Sequence, residues 1–259
     1  MKRKTLMAVM AAVLTIAMAC PAMAANPSRT NGGTRGSSGH GGSSSSRSTG
    51  TVRVINTIKG TDITYGVQNS TSAVVKVTNI AESVNANNTY NTANANLSYA
   101  DKANRVMSNG VTYAGNAYAN AIYTAAEKTG NTADFLNKLN PNMSTQIAAK
   151  KSGFDASKYT LLSVFNMTAS AAANTQVANG KTAKIDFEIP GVKAGGDYIV
   201  VGVTGDLGDI DAVQKQLSAG SLAGSLNVNG DVFTASAPAD GKLSVDVSKY
   251  TTMLVLARK

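Results

Sequence analysis

The stretch Ile185–Val203, IDFEIPGVKAGGDYIVVGV, decides how the second half of the chain is read. Ile185, Phe187 and Ile189 fall on one side of an extended chain, with Asp186 and Glu188 on the other. That period of two is the mark of a half-buried strand. Pro190-Gly191 turns the chain, because proline presets one backbone angle and glycine tolerates the next. Tyr198-Ile-Val-Val-Gly-Val203 is apolar on both faces, as a central strand is. An amphipathic strand, a turn and a buried strand are predicted.

Working outward, Tyr159-Thr-Leu-Leu-Ser-Val-Phe165, Leu243-Ser-Val-Asp-Val247 and Met253-Leu-Val-Leu-Ala257 carry the same strand character. Asn229-Gly230 stands between Ser225–Val228 and Asp231–Ala235 and predicts a tight hairpin there. Asp211–Leu217 predicts a short helical turn with Asp209 before it as a cap. Short strands separated by turn signals predict a β-sandwich over 153–259, with Ile185, Phe187, Val200 and Leu254 in its core. A segment of that size is expected to fold alone.

The region 51–152 reads as strands followed by amphipathic helices. Val52–Ile55, Asp62–Val67 and Ala73–Thr78 are rich in β-branched residues. Residues 84–96, VNANNTYNTANAN, are Asn-rich without clear period and predict a loop. Ser98-Tyr-Ala-Asp101 has the spacing of a capping box, and apolar residues follow it at helical spacing until Asn109-Gly110. Ala114, Tyr118, Ala121, Ile122 and Ala125 form one helical stripe. Thr132 as N-cap and Pro141 as terminator bracket a third helix. The fold class is α+β: a small helical and β N-terminal region, then a C-terminal sandwich.

The ends speak to location. Met1-Lys-Arg-Lys4, an apolar run from Leu6 to Ala19, and Ala22-Met23-Ala24 have the charged, apolar and small-residue parts of a secretory signal peptide over 1–24. The run is shorter than the ~20 residues of a membrane span. The Ala-Met-Ala site predicts a mature N-terminus at Ala25. Cys20 is a poorer lipoprotein site, with Ala17 where leucine is usual and Pro21 directly after. Residues 25–50 are Gly/Ser-rich and almost without apolar side chains, so they predict a disordered linker.

The quoted strands carry a resemblance. Tyr159–Met167, Lys184-Ile-Asp-Phe-Glu-Ile-Pro-Gly-Val-Lys-Ala-Gly195 and Tyr198–Val201 resemble a C-terminal module of uncharacterised secreted and surface proteins of clostridial-type bacteria. The resemblance covers about 155–259 and implies an immunoglobulin-like sandwich on an exported protein. It implies no catalytic residues. The 205–242 segment and Tyr250–Leu256 depart from the module's pattern.

The chemical inventory narrows the function classes. The chain has 24 basic and 15 acidic residues, net +9. Three bases lie in the leader, leaving 21 against 15, or +6. No clustered Lys/Arg motif marks a nucleic-acid protein. Cleavage after Ala24 removes the single cysteine, and there is no tryptophan. His40 lies in the linker, where no partner holds an imidazole in catalytic or zinc-binding geometry. A hydrolytic carboxylate pair remains arithmetically open, but most acids read as caps and turns.

Two features stand out against that background. Asp206, Asp209 and Asp211 sit on a glycine-containing loop whose oxygens suit Ca²⁺, although the spacing is not that of an EF-hand and Asp209 also reads as a helix cap. Tyr99, Tyr113, Tyr118 and Tyr123 lie among asparagines, a composition typical of adaptable recognition surfaces. The leading expectation is a non-enzymatic, exported structural or adhesive protein without a cofactor. Glycan or cell-wall binding is the alternative, and a carboxylate-dependent hydrolase stands third. The partner classes are a cell-wall polymer, a glycan or a host surface protein.

Overall fold

Ile185 and Phe187, the alternating residues of the decisive stretch, are both buried, at 0% and 1% exposure. They belong to one sheet that runs almost the length of the described chain. The computed structural model describes residues 53–60, 63–64 and 75–259. The expected signal peptide, the linker with His40, and parts of the first strands lie outside the described residues.

The first half holds β1 (Arg53–Gly60), β2 (Ile63–Thr64), β3 (Val75–Asn79), α1 (Ile80–Ala93), α2 (Tyr99–Ala103), α3 (Tyr113–Lys128), α4 (Thr132–Leu139) and α5 (Met143–Ala148). The second half holds β4 (Tyr159–Ala169), α6 (Ala171–Gln176), β5 (Ala183–Glu188), β6 (Tyr198–Thr204), α7 (Ile210–Ser218), β7 (Asn229–Ala239), β8 (Lys242–Val247) and β9 (Thr252–Arg258). The strand order is β2-β1-β5-β8-β7-β6-β9-β4-β3, with every pairing antiparallel.

β7 serves two neighbours. Its first part pairs with β6 as far as Val200↔Phe233, and its second part pairs with β8 from Thr234↔Asp246. The sheet curls there, so its two halves face each other. Phe165, Ile185, Phe187, Val200, Leu243 and Met253 meet inside the curl. On the outer face of β4, β6 and β9, Val164, Ile199, Val201, Leu254 and Leu256 meet Ile122, Phe135, Leu136 and Leu139 from the helices. Val200 and Val201 therefore look into different cores, and β6 is buried on both sides as its sequence predicts. Each fully buried aliphatic or aromatic side chain contributes about 1.5–3 kcal/mol. Helices gathered on one face of an antiparallel sheet make the fold α+β.

The sheet crosses the line between 152 and 153: β1 pairs with β5 and β3 with β4. Leu254, expected beside Ile185, Phe187 and Val200, belongs to the helix-covered core instead. The segment 153–259 thus shares both its sheet and a core with what precedes it.

Three local expectations are corrected. The predicted loop 84–96 is mostly helix α1. Asn79 caps it by accepting from Glu82 N at 2.9 Å, and Ser83, Ala86 and Asn87 are buried at helical spacing. Tertiary packing against α3 outweighs the modest helix propensity of asparagine. The helix after Ser98 stops at Ala103, well before Asn109. Met107 N donates to Val111 O at 2.8 Å, closing a turn in which Val111 N donates to Asn109 Oδ1 at 3.1 Å.

Asn229-Gly230 is no hairpin turn but the start of β7, where Gly230 pairs with Val203. A Cβ on Gly230 would stand 2.5 Å from Met143 Sδ, so the glycine lets α5 approach the sheet. Smaller shifts occur too: Asn131, not Thr132, caps α4 by accepting from Asp134 N at 2.9 Å.

Candidate functional site

The acids proposed from sequence as calcium ligands are placed by α7 and the loop before it. Asp206 Oδ1 accepts from Gly208 N at 2.8 Å, and Asp209 Oδ1 accepts from Ala212 N at 3.0 Å as the α7 cap. Asp211, two residues on in the first turn of α7, accepts from the Tyr113 hydroxyl. Each carboxylate has a separate structural task, and no group of three His, Cys, Asp or Glu stands placed for a metal among the described residues.

The tyrosines divide. Tyr113, fully buried at the start of α3, stands with its ring 5.5 Å from that of Tyr90 and 6.2 Å from that of Tyr99. The Lys102 ammonium lies 5.7 Å from the Tyr113 ring centre, within cation–π range, and donates to Asn91 Oδ1 at 3.0 Å. The Tyr113 hydroxyl is within reach of both Asp211 and Asn91. Its single proton serves the charged acceptor, which makes the stronger bond. Tyr118 and Tyr123 face elsewhere, against the helix-covered core.

Burial, then the Asp211 carboxylate, holds the Tyr113 phenol well above its usual value. Burial followed by the charges of Asp211, Asp209 and Asp206 pushes Tyr99 up to about 12. Both phenols therefore stay protonated at neutral pH and act as donors, not as bases or nucleophiles.

Beside this corner a cleft of about 420 Å³ opens between α1 and α7. Asn88, Asn91, Asp211, Gln214, Lys215 and Ser218 line it, with Ala219. Sequence reasoning missed it because part of its wall, Asn88 and Asn91, is on the helix read as a loop. A signal was present: Asp211, Gln214, Lys215 and Ser218 are spaced i, i+3, i+4, i+7 on one helical face. A second cavity of about 390 Å³, walled by Ala114, Tyr118, Met167, Val203 and Ile210 among others, is largely apolar. The Tyr118 hydroxyl is buried there without a hydrogen-bond partner among the described residues.

Comparison with models of protein families, with curated proteins and with solved structures finds no match for this chain.

The remaining aspartates for which a partner is resolved hold loops and strands together. Asp197 takes Lys151 at 2.8 Å, the Tyr159 hydroxyl at 2.9 Å and Arg258 at 3.6 Å. Lys151 above all, with Tyr159 and Arg258, holds its carboxyl below the usual value despite partial burial. Asp240 accepts from Ala194 N at 2.9 Å, Asp155 from Ser157 N at 3.0 Å, and Asp101 from the Ser98 hydroxyl at 2.5 Å. Asp186 takes the Ser244 hydroxyl and Asp231 pairs with Lys249.

Proposed function

We propose that the protein is a non-enzymatic, exported structural or adhesive module that works by presenting surface. One observation carries the reading: aspartate after aspartate is committed to a cap, a turn or an ion pair. The clearest case is Asp197, which ties the end of α5 to β4 and β9. Carboxylates held in this way serve the fold, whereas hydrolysis needs an acid and a base placed together beside a substrate. The leader-like 1–24 and the Gly/Ser-rich 25–50 support export and a tethered head.

The strand order supports an immunoglobulin-like reading of the β-rich body. An immunoglobulin sandwich sets strands A-B-E-D against C-F-G. Here β1-β5-β8-β7 takes the first order and β6-β9-β4 the second, with β7 joining the two. The departure is β4, which fills the last position although it precedes β5 in the chain.

The test is substitution of Asp206 and Asp209 by Asn, one at a time. Each variant is expected to keep the attachment conferred on cells that export the protein, and to change at most its melting temperature. A variant that loses attachment at an unchanged melting temperature would point to a chemical site.

A further inference from the structure

We infer that the cleft between α1 and α7 is a saccharide-binding site, with Asn88, Asp211, Gln214 and Lys215 as its polar contacts. The inference rests on the reading of the chain as an exported presenting module and names what that module would hold.

The lining decides the ligand class. Side-chain amides, one carboxylate, one ammonium and one hydroxyl face a space of about 420 Å³. That volume lies in the range of about 300–1,000 Å³ typical of small-ligand sites. An apolar molecule would strip water from these groups and return no hydrogen bonds. An anion without hydroxyls, such as phosphate, would meet Asp211 beside the single cation, Lys215. A ring carrying neighbouring hydroxyls fits both signs. Each hydroxyl can donate to a carboxylate or amide oxygen while accepting from an amide N–H or the ammonium.

Asp211 is set up for that task. The Tyr113 hydroxyl occupies Oδ2, fixes the carboxylate's orientation and leaves Oδ1 for a ligand. Asn91 is held in turn by Lys102. Asn88, Gln214 and Ser218 have no side-chain hydrogen-bond partner among the described residues, so their donors and acceptors are open to a ligand. Two helices supply the wall, and rigid elements hold a site more closely than loops do. Tyr90 and Tyr99, half-buried around Tyr113, stiffen the α1 side by ring packing.

The chemistry is shared by two sources, the producing cell's own wall and a host glycan. The experiment is calorimetric titration of the exported protein with two probes: the N-acetylglucosamine–N-acetylmuramic acid disaccharide of bacterial wall, and N-acetyllactosamine. Binding of the first assigns the wall and binding of the second assigns a host glycan. In either case the double variant Asn88→Ala, Gln214→Ala should weaken affinity at least tenfold without moving the melting temperature. Lys215→Ala, on an exposed helical turn, gives an independent second variant with the same expected direction.

Binding of neither sugar at millimolar concentration, or equal affinity in wild type and double variant, overturns the site. Antibody labelling of intact producing cells and their medium tests the parent reading separately. Protein found outside the cell without saccharide binding removes the cleft alone, while protein confined to the cytosol removes the presenting role.

Discussion

The rings of Phe165 and Phe187 stand 5.3 Å apart, although β8, β7, β6 and β9 separate their strands in the sheet. Only a sheet curled back on itself brings them together, so this pair reports closure of the inner core. Phe187→Ala leaves a cavity on one side of that contact and should cost about 3–5 kcal/mol. Urea unfolding followed by tyrosine fluorescence or circular dichroism measures it. A change below about 1 kcal/mol would mean the two halves of the sheet do not close on Phe187.

The outer face of β4, β6 and β9 is covered by helices from the first half of the chain. A fragment spanning 153–259 would leave Val164, Ile199, Val201, Leu254 and Leu256 open to water, with β4 and β5 each missing a neighbour. It should bind a hydrophobic dye strongly and lack a cooperative thermal transition, whereas 75–259 should unfold in one step. A monomeric, cooperative 153–259 fragment would contradict the shared core and restore the independent domain that length and strand count suggest.

Gly202 seats an aromatic ring. A Cβ there would stand 2.6 Å from Phe233 Cε2, 2.8 Å from its Cζ and 3.1 Å from Thr251 Cγ2, so the buried ring would have to shift. Gly202→Ala should therefore destabilise by about 1–3 kcal/mol through overpacking. Pairing it with Phe233→Leu should recover part of the loss, and a double-mutant cycle reads the coupling.

Asp197 makes stability depend on pH. Its folded carboxyl is held below the usual value of ~3.9, first by Lys151, so the unfolded chain takes up the proton more readily. The contribution is present above ~4 and is lost as pH falls through the folded value. With both partners partly exposed, about 1 kcal/mol is expected after solvent screening. Denaturation curves from pH 6 to pH 2 should fall less steeply in Asp197→Asn than in wild type. Parallel curves would remove the ion cluster from the stability account.

What was legible in the sequence was alternation, and what was not was cover. Ile185 and Phe187 announce a strand with one buried face, and Tyr198–Val203 a strand with two. Nothing in Val201 or Leu254 says that helices, not a second layer of strands, lie over them. α1 escaped notice for a related reason: its buried Ser83 and Asn87 are polar, so no apolar stripe betrays the helix. Gly230 misled because a glycine after asparagine usually turns the chain, while here it makes room for Met143.

The same two effects governed the candidate site. Asp209 was readable as a cap because capping is local. The cleft was not, since Asn88 and Gln214 are distant in sequence and only the packing of α1, α3 and α7 brings their helices together. Tyr99 and Tyr113 were visible as residue types among asparagines. Their burial against Lys102 and Asp211, which turns them from open binding groups into the support beneath the cleft, depends on the same packing.

Export and presentation are read by intact-mass measurement of the protein recovered from the medium and surface of producing cells. The expected species is a chain beginning at Ala25, without lipid, outside the cytoplasm. A chain retained in the cytosol with residues 1–24 still attached would contradict both.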